Sequence, residues 1–450
     1  EGQFAVHQKY YRLRDKVDTM MTIAQIRHDV NTADAFYSAE QDYYDEQSPK
    51  YSNMIIEYQT LLYDSPYRKE LEEKIGAVAF KNMELARKSM DEILIPLLQE
   101  ENALTTTYEK IPAEAEFDWD GEKVNISRIK AYMKDTDRSI RKKAWDKLSA
   151  FFLEHEKELD DIYDKLVKNR TEQARKMGYE NYVELGYYRM GRNCYDKDAV
   201  EAFRKQVKED FVPFVEKLHD RRRERLGLEK LSYIDEGVYF RDGNPKPTGT
   251  PEEILAAGQR MYSELSVETK EFFDFMRENE LFDVLGRKNK RVGGYMTYLP
   301  VYQAPFIFAN FNGTSGDVDV ITHECGHAFQ GYLSGKDPIR EHSDITMETA
   351  ECHSMSMEFF TEKWMDWFFG DKADAYRELH FEDDPFFGNG GFWQQQHHIY
   401  SFPFYYIDYV IAQTVAFEYK LWMDEDFDAA WKSYLKLCRL SASDFFTNMI

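Results

Sequence analysis

Disulfide chemistry has little to work with in this chain. Four cysteines in 450 residues, Cys194, Cys325, Cys352 and Cys438, are too few and too scattered to staple a fold, and none forms a C-x-x-C pair. That scarcity fits a reducing compartment, and the opening residues EGQFAVHQKYYRLRDK carry no apolar leader, so a cytoplasmic location is expected. Glycine and proline, 23 and 13 residues, are too sparse for a collagen-like or low-complexity chain, and 43% apolar residues allow a sizeable core. Long apolar runs are also missing. The least polar stretch, Val292 to Phe311, is interrupted by Gly293, Gly294, Pro300, Gln303 and Pro305, so it falls short of the roughly 20 unbroken residues a spanning helix needs. Positive charge is in deficit. With 58 Lys and Arg against 82 Asp and Glu, the net charge of −24 has the wrong sign for phosphates or anionic lipids, so neither nucleic acid nor membrane is an expected partner.

What the chain does contain is helical periodicity. Leu71, Ile75, Val78, Met83, Ala86 and Met90 recur mostly at three- and four-residue steps with Lys and Glu opposite, which predicts one amphipathic helix. A second pattern through Ile140, Ala144, Leu148, Leu159, Ile162 and Leu166 predicts a long helix ending near Gly178, which closes an N-terminal helical lobe over 1–178. The loop RDGNPKPTGT, Arg241 to Thr250, precedes a capping box of Thr250 and Glu253, with a new helix starting at Pro251. Only Val292 to Phe311 reads as sheet, and its two prolines predict edge or irregular strands. The expected fold is mainly α with a small β-sheet.

Of eleven histidines, seven (His323, His327, His342, His353, His380, His397 and His398) fall within about a sixth of the chain. At the head of that cluster stands His323-Glu324-Cys325-Gly326-His327, an H-E-x-x-H motif for which chance gives on the order of 0.03 matches in this composition. On a helix the two imidazoles stand one turn apart on one face and can aim at a single Zn²⁺, while Glu324 can take a proton from a metal-activated water. The bland alternative is a packed helix with two hydrogen-bonded histidines and a solvated Glu324, which needs three coincidences. Gly326 in mid-helix costs roughly 1 kcal/mol against Ala and points to a close backbone approach or a need for space.

A catalytic zinc needs a third protein ligand. The metzincin continuation fails, because Gln330 and Leu333 stand where Gly and His belong, and a thermolysin-type E-x-x-x-D is absent around Glu348 and Glu351. Met347 to Glu358 reads as a helix with Glu348, Glu351, Ser354, Met355 and Glu358 along one face. Spacing leaves Glu351, Glu348 and His353 open as third ligands.

Four stretches, NYVELGYYRMGR (Asn181 to Arg192), FNGTSGDVDVITHECGHAFQGY (Phe311 to Tyr332), METAECHSMSMEFF (Met347 to Phe360) and GGFWQQQHHIYSFPFYYIDYVIAQ (Gly390 to Gln413), resemble the thimet oligopeptidase and oligoendopeptidase F family of zinc metallopeptidases, most closely its oligoendopeptidase F and Pz-peptidase branch. The resemblance implies a two-lobed helical metallopeptidase with a small β-sheet beside the zinc helix, a deep substrate channel, and a catalytic lobe over 179–450. It implies one Zn²⁺ per chain held by His323, His327 and Glu351, with Glu324 as base and Glu358 as a candidate orienting acid. It also implies that His398, Tyr406 and Tyr409 donate hydrogen bonds to the developing oxyanion, with His397 a weaker candidate than His398. Between His380 and Gly390 the family carries further helical segments, where this chain has only FEDDPFFGN.

The activity so implied is endopeptidase cleavage of short oligopeptides, bound by β-addition along Gly293 to Ala309. Two other readings compete: a zinc carboxypeptidase on a related helical scaffold, and a non-catalytic peptide-binding protein. An intact Glu324 argues against the second.

Overall fold

Helices begin where a side chain can satisfy the free backbone donors of the first turn. The computed structural model describes residues 2–380 and 396–450. Asp34 accepts from the amides of Phe36 and Tyr37 ahead of the helix Ala35–Tyr63, and Asp137 accepts from Ser139 ahead of Arg138–Lys176. Thr250 and Glu253 form the expected capping box, and the helix Pro251–Leu265 starts at the expected proline. The long helix buries Ala144, Leu148, Leu159, Ile162 and Leu166 and stops just before Gly178, whose φ of +85° suits glycine.

The predicted single helix through Leu71 and Met90 is two. Arg68–Ile75 and Ala77–Ser89 are separated by Gly76 at φ +107°, a backbone state that ends one helix and redirects the chain. The periodicity survives the break, because Leu71, Ile75, Ala79, Phe80 and Met83 still share one buried cluster. Periodicity reports which face is buried and is silent on continuity.

Five short strands complete the secondary structure of the described residues. β1 (Phe117–Trp119) and β2 (Glu122–Val124) form a hairpin that the sequence reading missed. Its turn is Asp120-Gly121 with both φ values positive, which is the twist a two-residue hairpin needs. β3 (Phe282–Leu285), β4 (Tyr295–Leu299) and β5 (Ala304–Phe311) form a sheet in the order β3-β5-β4, parallel on one side of β5 and antiparallel on the other. The edge assignment is therefore right for β4 and wrong for β5, which is central. Pro305 is tolerated there because it pairs with Tyr298 of β4 and precedes Ile307, where pairing to β3 begins.

The largest apolar core runs from Ile254 to Phe446 and gathers the sheet and the C-terminal helices, whereas the smaller clusters are built mainly from N-terminal residues, one of them shared with Tyr400. Two helices meet in the main core. The motif helix, Gly316–Ser334, buries Val318, Ile321, Cys325, Ala328 and Phe329, which leaves His323, Glu324 and His327 on its other side. The acid helix, Met347–Thr361, is buried on nearly every face, packed between the motif helix and a third helix, Tyr406–Glu425. Where the first two cross, a β-carbon on Gly326 would lie 2.6 Å from the carbonyl oxygen of His353 and 2.6 Å from the Cα of Ser354. The mid-helix glycine thus answers a close backbone approach. Residues 381–395, which include Phe381 to Asn389 and the start of the fourth family-like stretch, lie outside the described residues. No helix among the described residues is long and apolar enough to cross a membrane.

Gly326→Ala is expected to force the two helices apart and to destabilise the protein by about 1–3 kcal/mol, the scale of overpacking. Thermal unfolding of the purified variant checks this, and an unchanged melting temperature would contradict the crossing.

Candidate metal centre and catalytic site

The loop before the motif helix is built to start it. Asp317 accepts from the amides of Asn312 and Gly313 at 2.8 Å each, and Gly313 takes φ +80°. Between one and three turns later His323 and His327 emerge on the same face, and the close crossing at Gly326 brings the acid helix beneath them. Glu351 Oε2 lies 3.4 Å from Nε2 of each imidazole. Ligand bonds of about 2.0–2.1 Å at tetrahedral angles put donor atoms about 3.3–3.4 Å apart, so these two separations suit a shared small cation. His323, His327 and Glu351 are the one group of three or more such side chains among the described residues whose donor atoms converge, all within 4.8 Å of one another. Two nitrogen donors and one carboxylate are a donor set that suits a divalent ion such as zinc.

The supporting contacts orient this set. Nδ1–H of His323 donates to Glu358 Oε1 at 2.6 Å, which orients the ring so that Nε2 faces Glu351. Ser354 Oγ donates to Glu351 Oε2 at 2.9 Å, and the Tyr405 hydroxyl donates to Glu351 Oε1. Burial disfavours the Glu351 carboxylate, yet the adjoining imidazoles outweigh it and hold its pKa well below the ordinary range. Glu324 goes the other way. Burial raises its pKa, with the imidazoles opposing, which makes it a better proton acceptor than a solvated glutamate. Gly294, just before β4, lies beside Glu324: a β-carbon there would sit 3.3 Å from the Phe308 carbonyl oxygen and 3.8 Å from Glu324 Oε1.

Three candidates for the third donor were open from spacing, and the tertiary structure separates them. Glu348 is fully buried, and burial together with Asp408 pushes it up to about 7. His353 is buried against Tyr434, and its pKa falls to about 3 through burial, so it stays neutral. Only Glu351 joins the two histidines.

The aromatic residues come together over the same carboxylate. The His398 ring stacks on Tyr405 at 4.7 Å and 5°, and meets the edges of Tyr406 and Tyr409 at 4.8 and 6.0 Å. Tyr409 packs edge-on against Tyr405 at 5.0 Å, and the charges of Glu351 and Glu324 add to the burial that raises its pKa. Burial lowers His398 to about 4, so at neutral pH it is an uncharged imidazole. His397 lies against His398 with ring centroids 3.9 Å apart. Tyr406 lies at the outer side of this group: it packs against His398 and Tyr409, is 40% exposed and donates to Gln396. Sequence reasoning missed Tyr405, although its i, i+4 relation to Tyr409 was as visible as the i, i+3 relation of Tyr406.

A mostly helical chain with an H-E-x-x-H helix, a crossing helix that supplies a buried glutamate, and a phenol and imidazole cluster facing them defines a metallopeptidase. The sequence matches the Peptidase M3 N-terminal domain over residues 1–90 and Peptidase family M3 over residues 131–366. The chain belongs to peptidase family M3. Among solved structures, an oligoendopeptidase F and PZ peptidase A with an inhibitor each show 41% identity and a TM-score of 0.97, covering 99% of this chain and 88% of theirs. An oligoendopeptidase F from Bacillus anthracis shows 40% identity and a TM-score of 0.94, covering 99% of this chain and 87% of its own. A search of curated proteins gave no match. The mainly α fold with a small sheet is that of these structures.

Glu358→Gln is expected to weaken divalent-metal affinity by about 10- to 100-fold, the usual cost of losing a ligand's orienting partner. Competition with a chromogenic chelator measures it, and wild-type affinity would remove Glu358 from this role.

Proposed function

We propose that this oligopeptide metalloendopeptidase works with one zinc ion per chain, held by His323, His327 and Glu351, and with Glu324 as its base. The convergence of both Nε2 atoms on one Glu351 oxygen carries the reading. Bound there, zinc supplies Lewis acidity that acidifies the attacking water and polarises the scissile carbonyl.

Glu324 accepts the proton of that water and passes it to the leaving amine, a task favoured by its raised pKa. Tyr409 and neutral His398 donate to the oxyanion, Tyr406 joins them once released from Gln396, and Tyr405 keeps Glu351 in place. β4 pairs only with β5 among the described residues, so its other edge can take up an extended peptide through main-chain bonds that tolerate many side chains. A short peptide entering a deep channel between an N-terminal lobe, 1–178, and a catalytic lobe, 179–450, accounts for a preference for oligopeptides; the small apolar clusters built mainly from N-terminal residues support that division, with Tyr400 joining one of them across it. The four unpaired cysteines support a cytoplasmic setting. The carboxypeptidase and non-catalytic alternatives are not favoured, because the structures of about 40% identity are oligoendopeptidases and a PZ peptidase.

Digestion of an unstructured decapeptide, followed by mass spectrometry, is expected to show internal cuts that a chelator abolishes and added zinc restores; end-trimming alone would reject the endopeptidase reading. Glu324→Gln is expected to retain zinc and lose at least about 10²-fold in kcat. Tyr409→Phe is expected to lower kcat more than it raises KM, since an oxyanion donor acts mainly in the transition state. A purely KM effect in steady-state assays would exclude Tyr409 as that donor.

A further inference from the structure

The aromatic donors ride on a segment of their own, apart from the two helices that carry the metal ligands. That segment enters the helix Tyr406–Glu425 through Phe404, which adopts φ +74°. A bulky residue keeps a left-handed backbone only where its surroundings over-determine it.

The surroundings here are specific. Arg192, in the turn after the helix Tyr182–Arg189, has a side chain only 1% exposed. Its Nη2 donates to the Phe404 carbonyl at 2.7 Å and to Asp408 Oδ1 at 3.0 Å, and its guanidinium lies 4.3 Å from the centre of the Tyr187 ring. Asp408 is as deeply buried and precedes Tyr409. From the same side, Gly186 forms a floor for the Phe404 ring, since a β-carbon there would lie 2.4 Å from it. One buried cation thus bonds the left-handed turn and the first turn of the tyrosine helix at once.

A structural role alone explains this poorly. Arg192 Nε and Nη1 and Asp408 Oδ2 are buried without hydrogen-bond partners among the described residues, and an ion pair so placed contributes less to stability than packed apolar groups of similar volume. Its geometry, in contrast, sets three adjoining side chains. Tyr405 follows the turn and reaches Glu351, His398 stacks on Tyr405, and Tyr409 follows Asp408.

We propose that Arg192 is a positioning residue for peptide hydrolysis: by holding the turn at Phe404 it places Tyr405, His398 and Tyr409 over Glu351 and Glu324. This rests on the mechanism proposed above. The test compares wild type, Arg192→Met and the double variant Arg192→Met/Asp408→Leu, which removes both members of the buried ion pair together with the Tyr195 hydroxyl's bond to Asp408.

Four quantities are read: melting temperature, zinc content, kcat and KM on an internally quenched peptide, and the Kd of a phosphinic peptide that mimics the tetrahedral state. The double variant is expected to melt near wild type with full zinc and KM within about threefold, while kcat falls about 10²-fold, the scale of a small misplacement, and phosphinic affinity falls with it. Wild-type kcat and phosphinic affinity in the double variant would overturn the proposal. So would a double variant that fails to fold, which would assign Arg192 to stability. Absence of internal cleavage by the wild type would instead strike the functional reading, so the two failures are distinguishable.

Discussion

The backbones of the motif helix and the acid helix touch at Gly326, where a β-carbon would collide with the main chain of His353 and Ser354. Everything at the site depends on that contact. Side chains at an ordinary helix crossing hold axes 8–10 Å apart, and a glycine at the crossing point lets the backbones come closer. The closeness lets Glu351, with its short reach, meet both imidazoles from beneath, and lets Glu358, two turns further along, reach the far nitrogen of His323. The cost of a glycine inside a helix is offset by the buried packing of Cys325, Ala328 and Phe329 around it.

Burial then divides the carboxylates by what faces them. Glu351 has two imidazoles, a serine hydroxyl and a phenol around it, so it stays an anion in a dry setting. Glu324 has less compensation and is pushed toward the neutral form. Glu348, one turn before Glu351, is pushed up to about 7 by burial and by Asp408. Three glutamates of the same intrinsic acidity, on two crossing helices, thus acquire different proton affinities, which suits one to hold a cation and another to shuttle a proton. The donor role proposed for His398 fits this division, because burial keeps the imidazole uncharged and it adds no positive charge to the site.

Much of the architecture was legible because it follows local rules. The caps at Thr250 and Gly178 and the burial pattern of Arg138–Lys176 stand where the residue types put them. The misreadings share a cause. Gly76 splits a helix whose apolar rhythm continues through it, β3 pairs with β5 across a distance that no strand propensity reveals, and the Asp120-Gly121 hairpin is too short for periodicity although its turn signal was present. At the site, Tyr405 was passed over because the neighbouring phenol Tyr406 offered an equally good helical phase, whereas in the fold Tyr405 bonds Glu351 and Tyr406 bonds Gln396.

The sequence alone determined the chemistry on offer: two imidazoles one turn apart, a glutamate between them, a glycine that demanded an unusually near neighbour, and a helix of acids downstream. Those are local facts, set by the 3.6-residue repeat and by the donor atoms each side chain carries. Which acid reaches the histidines, which tyrosine touches that acid, and how Arg192 grips the turn between them were decided by tertiary structure. Each is a contact between segments far apart in the chain, fixed by how closely two backbones can approach, and no spacing within one helix encodes that distance.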